Sequence, residues 1–396
     1  MRFQKILISF ICLFFAFSLF IVTDSSAIPA FARRYKVSCT TCHAPFPHLK
    51  PYGDEFAGNG FIMVENEKER DYITAGDDLL WLNKDFPVAV RFDAYALFED
   101  KTEVDKDLET PWGLKFMSGG TLYKNIGYYF YFYLSERGEV AGIEDAYVHF
   151  NNVFGTPLDI MVGQFQTSDP LMKRELRLTF EDYVFYKTRF GGATVNLAYD
   201  RGIMLVYGIE TTGTDLVAMV VNGNGKDEAG EDKKFDDDKY KNFGLRVNQG
   251  IGDYLSIGAF FYQGKEKHDD FSGTFMKRIR YGGPDFNLAI GPVEITGQYL
   301  IRHDKDDQLK GPFSRGTNFS QGIIGEVIFA PQLDRSRFYL TGLYNWIDSE
   351  FDGFNYETAT ISGTYLVARN LRLIAEYTRD LQHDRNRFTL GLVSGF

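Results

Sequence analysis

Residues 39–43 read Cys-Thr-Thr-Cys-His. Two thiols separated by two residues can bond the two vinyl groups of one porphyrin. A histidine directly after the second thiol can then carry its imidazole to the iron. The spacing points to one covalently attached haem of the c type, held by Cys39 and Cys42, with His43 as proximal ligand. Two other chemistries use a C-x-x-C pair. Half of a zinc site needs a second pair of ligands, and the one remaining cysteine is Cys12, near the N-terminus. A thioredoxin-like redox pair sits in a βαβ pattern, which this sequence lacks.

Spacing does not fix the sixth iron position. The candidates are Met63, His149 and His48, in that order, and an open position is a further alternative. Met63 lies far enough along to fold back, although a methionine there also serves as packing for a plug. His149 shares one strand face with Asp145 and Tyr147 and also suits a plain polar lumen position. His48 follows His43 by five residues with Pro45 and Pro47 between. Extended residues span at most ~3.5 Å each, so its reach to the iron is tight.

The elements that must position these residues begin with an export signal over residues 1–27. Arg2 and Lys5 make a positive start, residues 6–22 are apolar, and Ser25-Ser26-Ala27 offers a small-residue cleavage site. Cys12 leaves with that run. The alternative is an uncleaved anchor, since the run is near the lower limit for spanning a bilayer. No later stretch is long and apolar enough for a transmembrane helix.

Residues 28–85 are too few for a self-sufficient core. Pro45, Pro47 and Pro51 punctuate them, and 51–57 is expected to form a short helix ended by Gly58-Asn59-Gly60. Such a segment must lean on residues 86–396.

There the apolar period becomes two. Val293, Ile295, Gly297, Tyr299 and Ile301 alternate with Glu294, Thr296, Gln298, Leu300 and Arg302. Leu371, Leu373, Ala375 and Tyr377 alternate with Arg372, Ile374, Glu376 and Thr378. Mid-strand charges such as Arg372 and Glu376 suit a wet lumen and not lipid. The aromatic run 128–133 is expected where a strand crosses an interfacial girdle. Short turns at 124–125, 155–156, 213–214, 250–252, 291–292 and 368–370 alternate with longer loops at 100–111, 167–189, 222–239, 265–272, 303–318 and 348–354. These features predict an all-β fold, an antiparallel outer-membrane barrel of about 16 strands, with a short N-terminal haem-binding segment in its lumen or in the periplasm. A soluble β-sandwich or propeller also alternates, but no blade repeat is present.

The composition fits this: 37 Phe, 24 Tyr and 39 Gly in 396 residues. A net charge of −11 argues against a nucleic-acid partner, because phosphate binding needs a basic surface. It suits cationic partners.

The layout resembles the fused monohaem cytochrome–porins of bacterial outer membranes, a group that includes proposed ferrous-iron oxidases. The likeness lies in Phe31-Ala32-Arg33 before the motif, then Phe46-Pro47-x-Leu49, Pro51-Tyr52-Gly53, Phe56 and Gly60-Phe61 after it. Asp145-Ala146-Tyr147-Val148 and Gly163-Gln164-Phe165 are similar to stretches of phosphate-selective porins. The resemblance implies electron transfer across the outer membrane, with periplasmic carriers such as soluble cytochromes on one side and an extracellular reduced metal ion, ferrous iron among them, on the other. The alternative is a solute porin whose haem plug binds a ligand or gates the pore. An exported hydrolase lacks support, since neither a Gly-x-Ser-x-Gly elbow nor a His-Glu-x-x-His motif occurs.

Two loops carry opposite charge. Residues 167–189 hold Lys173, Arg174, Arg177, Lys187 and Arg189, which folded inward can face haem propionates or guide anions; the alternative pairs them with Glu175, Glu181 and Asp182 in a solvated loop. Residues 222–239 hold Asp227, Glu228, Glu231, Asp232 and Asp236 to Asp238, which can concentrate divalent cations or simply be solvated.

Overall fold

The structure, a computed structural model, describes residues 30–63, 72–77, 79–84, 86–140, 142–168, 171–230, 232–236, 238–270, 273–306 and 317–396. The export signal at 1–27 lies outside the described residues, as do Glu231 and Asp237 of the acidic loop.

Three short helices open the described chain: α1 (Ala30–Tyr35), α2 (Cys39–Cys42) and α3 (Pro51–Gly58). A two-residue ladder follows, β1 (Tyr72–Ile73) against β2 (Leu82–Asn83). The remainder is a closed antiparallel barrel of 16 strands in which every strand pairs with its sequence neighbours. In order they are β3 (Val88–Glu99), β4 (Lys106–Tyr123), β5 (Ile126–Glu136), β6 (Gly142–Phe150), β7 (Leu158–Phe165), β8 (Asp200–Ile209), β9 (Thr214–Val221) and β10 (Asn242–Ile251). The second half comprises β11 (Leu255–Asp270), β12 (Gly273–Ile290), β13 (Val293–Asp306), β14 (Thr317–Phe329), β15 (Phe338–Ser349), β16 (Tyr356–Ala368), β17 (Leu371–Asp380) and β18 (Arg385–Gly395). Closure joins β18 to β3 from Gly395↔Arg91 to Arg387↔Glu99, so the barrel leaves no open strand edge to template aggregation.

The alternating faces fall where the period of two places them. Phe243, Leu245 and Val247 point outward at 52, 53 and 46% exposure, whereas Asn242 and Arg246 are buried in the lumen. Arg372, Glu376 and Thr378 face inward on β17, and Arg302 does so on β13. The aromatic run on β5 departs from the girdle expectation. Tyr131 and Tyr133 are buried on the lumen side, and Tyr129 stacks on Phe61 of the N-terminal segment. A run without polar interruption cannot show which alternate members turn inward; the inward charges Lys115 and Glu175 select them.

Short and long connections alternate over part of the barrel, but 330–337 is a longer turn-end connection than expected and three loops are shorter than the sequence suggested. β4 begins at Lys106, β11 reaches Asp270 and β13 reaches Asp306, so 106–111, 265–270 and 303–306 are strand. Polar side chains marked these stretches as loop, yet backbone pairing continues wherever both strands extend beyond the apolar belt.

The long connection after β7 turns inward. Residues 171–199 fold into the lumen as irregular chain with three short turns of helix, among them α4 (Val184–Lys187), and the largest buried cluster forms around them. Phe185, Tyr186, Phe190 and Leu197 pack there against Met219, Tyr262, Ile324 and Leu343 of the wall.

Candidate functional site

The Cys-x-x-Cys-His residues sit on one helical turn. Ser38 caps α2, its hydroxyl accepting the Thr40 N–H at 3.3 Å, and the His43 N–H donates to Cys39 O at 2.9 Å. Residues three apart are neighbours on a helix surface, so this turn brings Cys39 and Cys42 to one side and delivers His43 directly after them. Both thiols are free and partly exposed, and burial pushes both above their ordinary pKa. The turn is held from below by α3, which starts on Pro51 with its fixed φ. Gly53 permits that approach: a Cβ there would lie 2.3 Å from Cys42 O.

His43 Nδ1 lies 3.0 Å from Pro47 O. Donation from Nδ1 leaves Nε2 as the ring's lone-pair nitrogen, the arrangement by which outer-shell carbonyls orient histidine ligands. Burial lowers the ring to about 4, so it is neutral at physiological pH.

Aromatic packing and polar contacts seat the segment at the turn end of the barrel. Phe56 meets Phe31, Tyr35 and Phe61 at 5.2, 5.7 and 5.7 Å, and Phe61 packs on Tyr129 of β5 at 4.8 Å. Phe46, 5.4 Å from the His43 ring, shares a buried cluster with Tyr95, Trp112, Phe180, Ile374 and Val393 of the lumen. Arg33 donates to Val88 O at 2.6 Å, and Lys50 holds Thr40 O at 2.9 Å and pairs with Asp334 in the turn before β15.

The three distal candidates take separate places. His48 is turned to the wall, with Nε2 3.1 Å from Glu294 Oε2 at the start of β13. Burial favours the neutral ring, but the bond to Glu294 and that carboxylate's charge outweigh it and raise His48 to about 9. His149 is a buried lumen residue of β6 at the turn end, beneath Gly60 and 3.8 Å from Asp159, and neither ring nitrogen makes a hydrogen bond. Met63 ends the first described stretch of the segment, partly exposed.

The basic loop residues are turned inward and paired. Arg174 grips Asp182 at 3.2 and 2.6 Å, and Lys187 reaches the same carboxylate at 3.2 Å. Burial would raise Asp182, but Arg174, Arg177 and Lys187 hold it well below the usual carboxylate range. Glu175 accepts from Lys115, Tyr131 and Tyr133 at 2.8, 2.6 and 3.1 Å. Lys173 lies 3.6 Å from Asp54 of α3, where the loop meets the motif segment. Arg189 instead pairs outside with Asp227 at 3.3 Å. Wall carboxylates anchor the loop backbone: Glu376 accepts the Phe180 and Glu181 N–H groups at 2.7 and 2.9 Å, and Glu266 those of Thr194 and Val195 at 3.0 and 3.1 Å. Lys115 and Arg91, which complete this network with Asp93, escaped the sequence reading because single mid-strand charges give no sign of sharing one level of a barrel.

The acidic loop is largely bonded to itself. Asp236 pairs with Lys241, Asp238 accepts the Tyr240 and Lys267 N–H groups, and no metal-holding group of three donors occurs among the described residues. A cavity of about 320 Å³ lies at the loop end, lined by Glu99, Asp105, Asp107 and Glu109 together with Lys106, Arg137 and Arg387, and by Phe180 of the inward loop.

No family model matches the chain, and no curated protein matches it. Its fold is similar to solved porin-type barrels. OmpT of Vibrio cholerae, in a trimer form, aligns with a TM-score of 0.55 at 14% identity over 79% of this chain and 99% of its own. The anion-selective porin of Comamonas acidovorans aligns with a TM-score of 0.56 at 11% identity over 79 and 99%. The outer-membrane channel DcaP of Acinetobacter baumannii gives 0.52 at 15% over 79 and 97%. At such identities the shared property is the fold: this chain is a 16-stranded porin-like barrel with its N-terminal segment seated at the turn end.

Proposed function

We propose that the protein is a porin-type barrel of the bacterial outer membrane, exported through its signal, whose turn end carries one covalent haem of the c type. Cys39 and Cys42 are the attachment thiols and His43 is the axial ligand. The observation that carries the reading is the seating of the motif. One helical turn presents both thiols on one side, a carbonyl orients His43, and the segment that carries the turn docks on the barrel through Phe46, His48 and Lys50. The haem, when bound, supplies a one-electron couple and an axial position. The protein's part is to hold it at the mouth and exclude water with Phe46, Phe56 and Phe61.

Of the two roles open to such a protein, a channel whose haem plug binds a ligand or gates the pore draws on the fold shared with a porin and a channel. One observation favours the second role, electron passage between an extracellular donor such as ferrous iron and periplasmic carriers. Residues 171–199 pack apolar side chains against the lumen wall and are bonded there to Glu376 and Glu266, which narrows the path open to solutes. Reconstitution in liposomes separates the roles. A channel gives ion conductance that responds to haem ligands; a conduit gives oxidation of the haem by an enclosed acceptor, with donor outside and conductance near the lipid background.

A further inference from the structure

The outer surface of the barrel carries a block of positive charge on β11, β12 and β13. Successive side chains of a strand take opposite faces, and Glu266, Lys277, Ile279, Arg302 and Asp304 are buried on the lumen side. Their neighbours Lys265, Lys267, Arg278, Arg280, His303 and Lys305 therefore point outward. Register gathers these cations. Lys265 stands opposite Arg278 and Arg278 opposite Lys305, a single row across three strands. Arg280 stands opposite His303 in the adjacent outward row, and Lys267 lies one outward position beyond Lys265. Among the described side chains, no carboxylate faces outward on these three strands. Like charges directly opposite one another are unfavourable in a ladder, and an anion laid across the row relieves them.

The block has a defined height on the wall. It lies toward the loop end, beyond an apolar belt formed on the same outward positions by Ile257, Phe261, Phe286 and Ile290. Arg280 and Ile290 are ten residues apart on β12. At ~3.4 Å per residue and a tilt of about 40° that is roughly 26 Å of height, against an apolar band of roughly 25 Å. The cations thus begin where hydrocarbon gives way to headgroups, on the side that long loops mark as extracellular. The following strands do not continue the block. Gln321 of β14 bonds Asp348 of β15 at 3.0 Å, and Tyr344 of β15 bonds Glu357 of β16 at 2.9 Å. In a chain of net charge −11, a general basic character does not account for it.

We propose that this block binds the phosphate-bearing headgroups of the outer leaflet, so that β11, β12 and β13 form the side of the barrel that holds phosphorylated glycolipid. Lysine and arginine suit phosphate oxygens, arginine through paired N–H donors. The acyl chains of the same lipid then lie on the apolar belt directly below, a second contact that free phosphate does not make. The inference rests on the outer-membrane placement proposed above and is independent of the haem.

The test uses the full chain in detergent micelles, with diphosphoryl lipid A and dephosphorylated lipid A as probes and native mass spectrometry as the readout. The native protein should retain diphosphoryl lipid A. The variant Arg278→Gln/Arg280→Gln/Lys305→Gln should bind it on the order of 100-fold more weakly, roughly fivefold for each cation removed near an anionic lipid surface. Salt should weaken the native complex more than the variant's. Lys124→Gln, at the opposite end of the barrel, should leave binding unchanged. If the triple variant does not assemble, Arg280→Gln alone carries the comparison, with a loss of about fivefold expected. Equal affinity of native and variant protein for diphosphoryl lipid A overturns the inference. So does equal affinity of the native protein for the dephosphorylated lipid, or displacement of the lipid by inorganic phosphate at equal concentration, which marks a small-anion site. Native chain that fractionates away from the outer membrane overturns the underlying placement instead, and cell fractionation reports that separately.

Discussion

His48 Nε2 stands 3.1 Å from Glu294 Oε2, a hydrogen bond across 246 residues that ties the motif segment to the barrel wall. It is joined by Lys50 with Asp334, so two side chains just after the Cys-x-x-Cys-His turn reach two different turn-end positions. Replacing His48 by Gln, or Glu294 by Gln, should loosen the segment by about 1–3 kcal/mol, the worth of a charged hydrogen bond. Faster hydrogen exchange over residues 39–58 is the measurement. The haem spectrum of His48→Gln should be unchanged, because the ring is already engaged; an altered ligand field would return His48 to the iron.

Attachment should depend on both thiols. The double variant Cys39→Ala/Cys42→Ala is expected to lose the covalent haem, seen as loss of peroxidase staining after denaturation and acid–acetone extraction. His43→Ala should retain haem through the thiols but change the iron's ligand field, since the nitrogen left free by the Pro47 contact is removed.

The two faces of the wall should differ in tolerance. A charge at Leu245, Ile295 or Leu373 faces lipid and should impair assembly by roughly 2–4 kcal/mol at mid-depth. The same charge at Asn242, Thr296 or Thr378 enters the lumen, where these residues are buried among polar partners. Yield of folded barrel from refolding into detergent compares the sets.

The inward loop should be released by acid. Asp182 is held well below the usual carboxylate range in the folded loop by Arg174, Arg177 and Lys187. Its contribution is therefore complete above the unfolded carboxylate value of about 4 and is lost as pH falls below it. Conductance and protease access to residues 171–190 should rise together on acidification, while Asp182→Asn should show the opened behaviour at neutral pH. Removing one partner of a buried pair costs about 3–5 kcal/mol.

The sequence by itself determined the barrel and the spacing of the motif in its short N-terminal segment. Alternation in β10, β13 and β17 is a local property, because successive side chains on a strand must point to opposite faces. Arg372 could therefore be assigned to the lumen without knowing what surrounds it. The Cys39–Cys42–His43 spacing is local in the same sense, since one helical turn suffices to align it. Tertiary structure alone decided which distant groups meet. Which of Tyr128 to Tyr133 turn inward depended on Lys115 and Glu175. The pairing of Asp182 with Arg174 and Lys187 required a loop to fold back into the lumen. The docking of His48 on Glu294 required the barrel to close and bring β13 beneath the segment. Closure is a non-local condition, set by the pairing of β18 with β3 across the whole chain, and no window of sequence contains it.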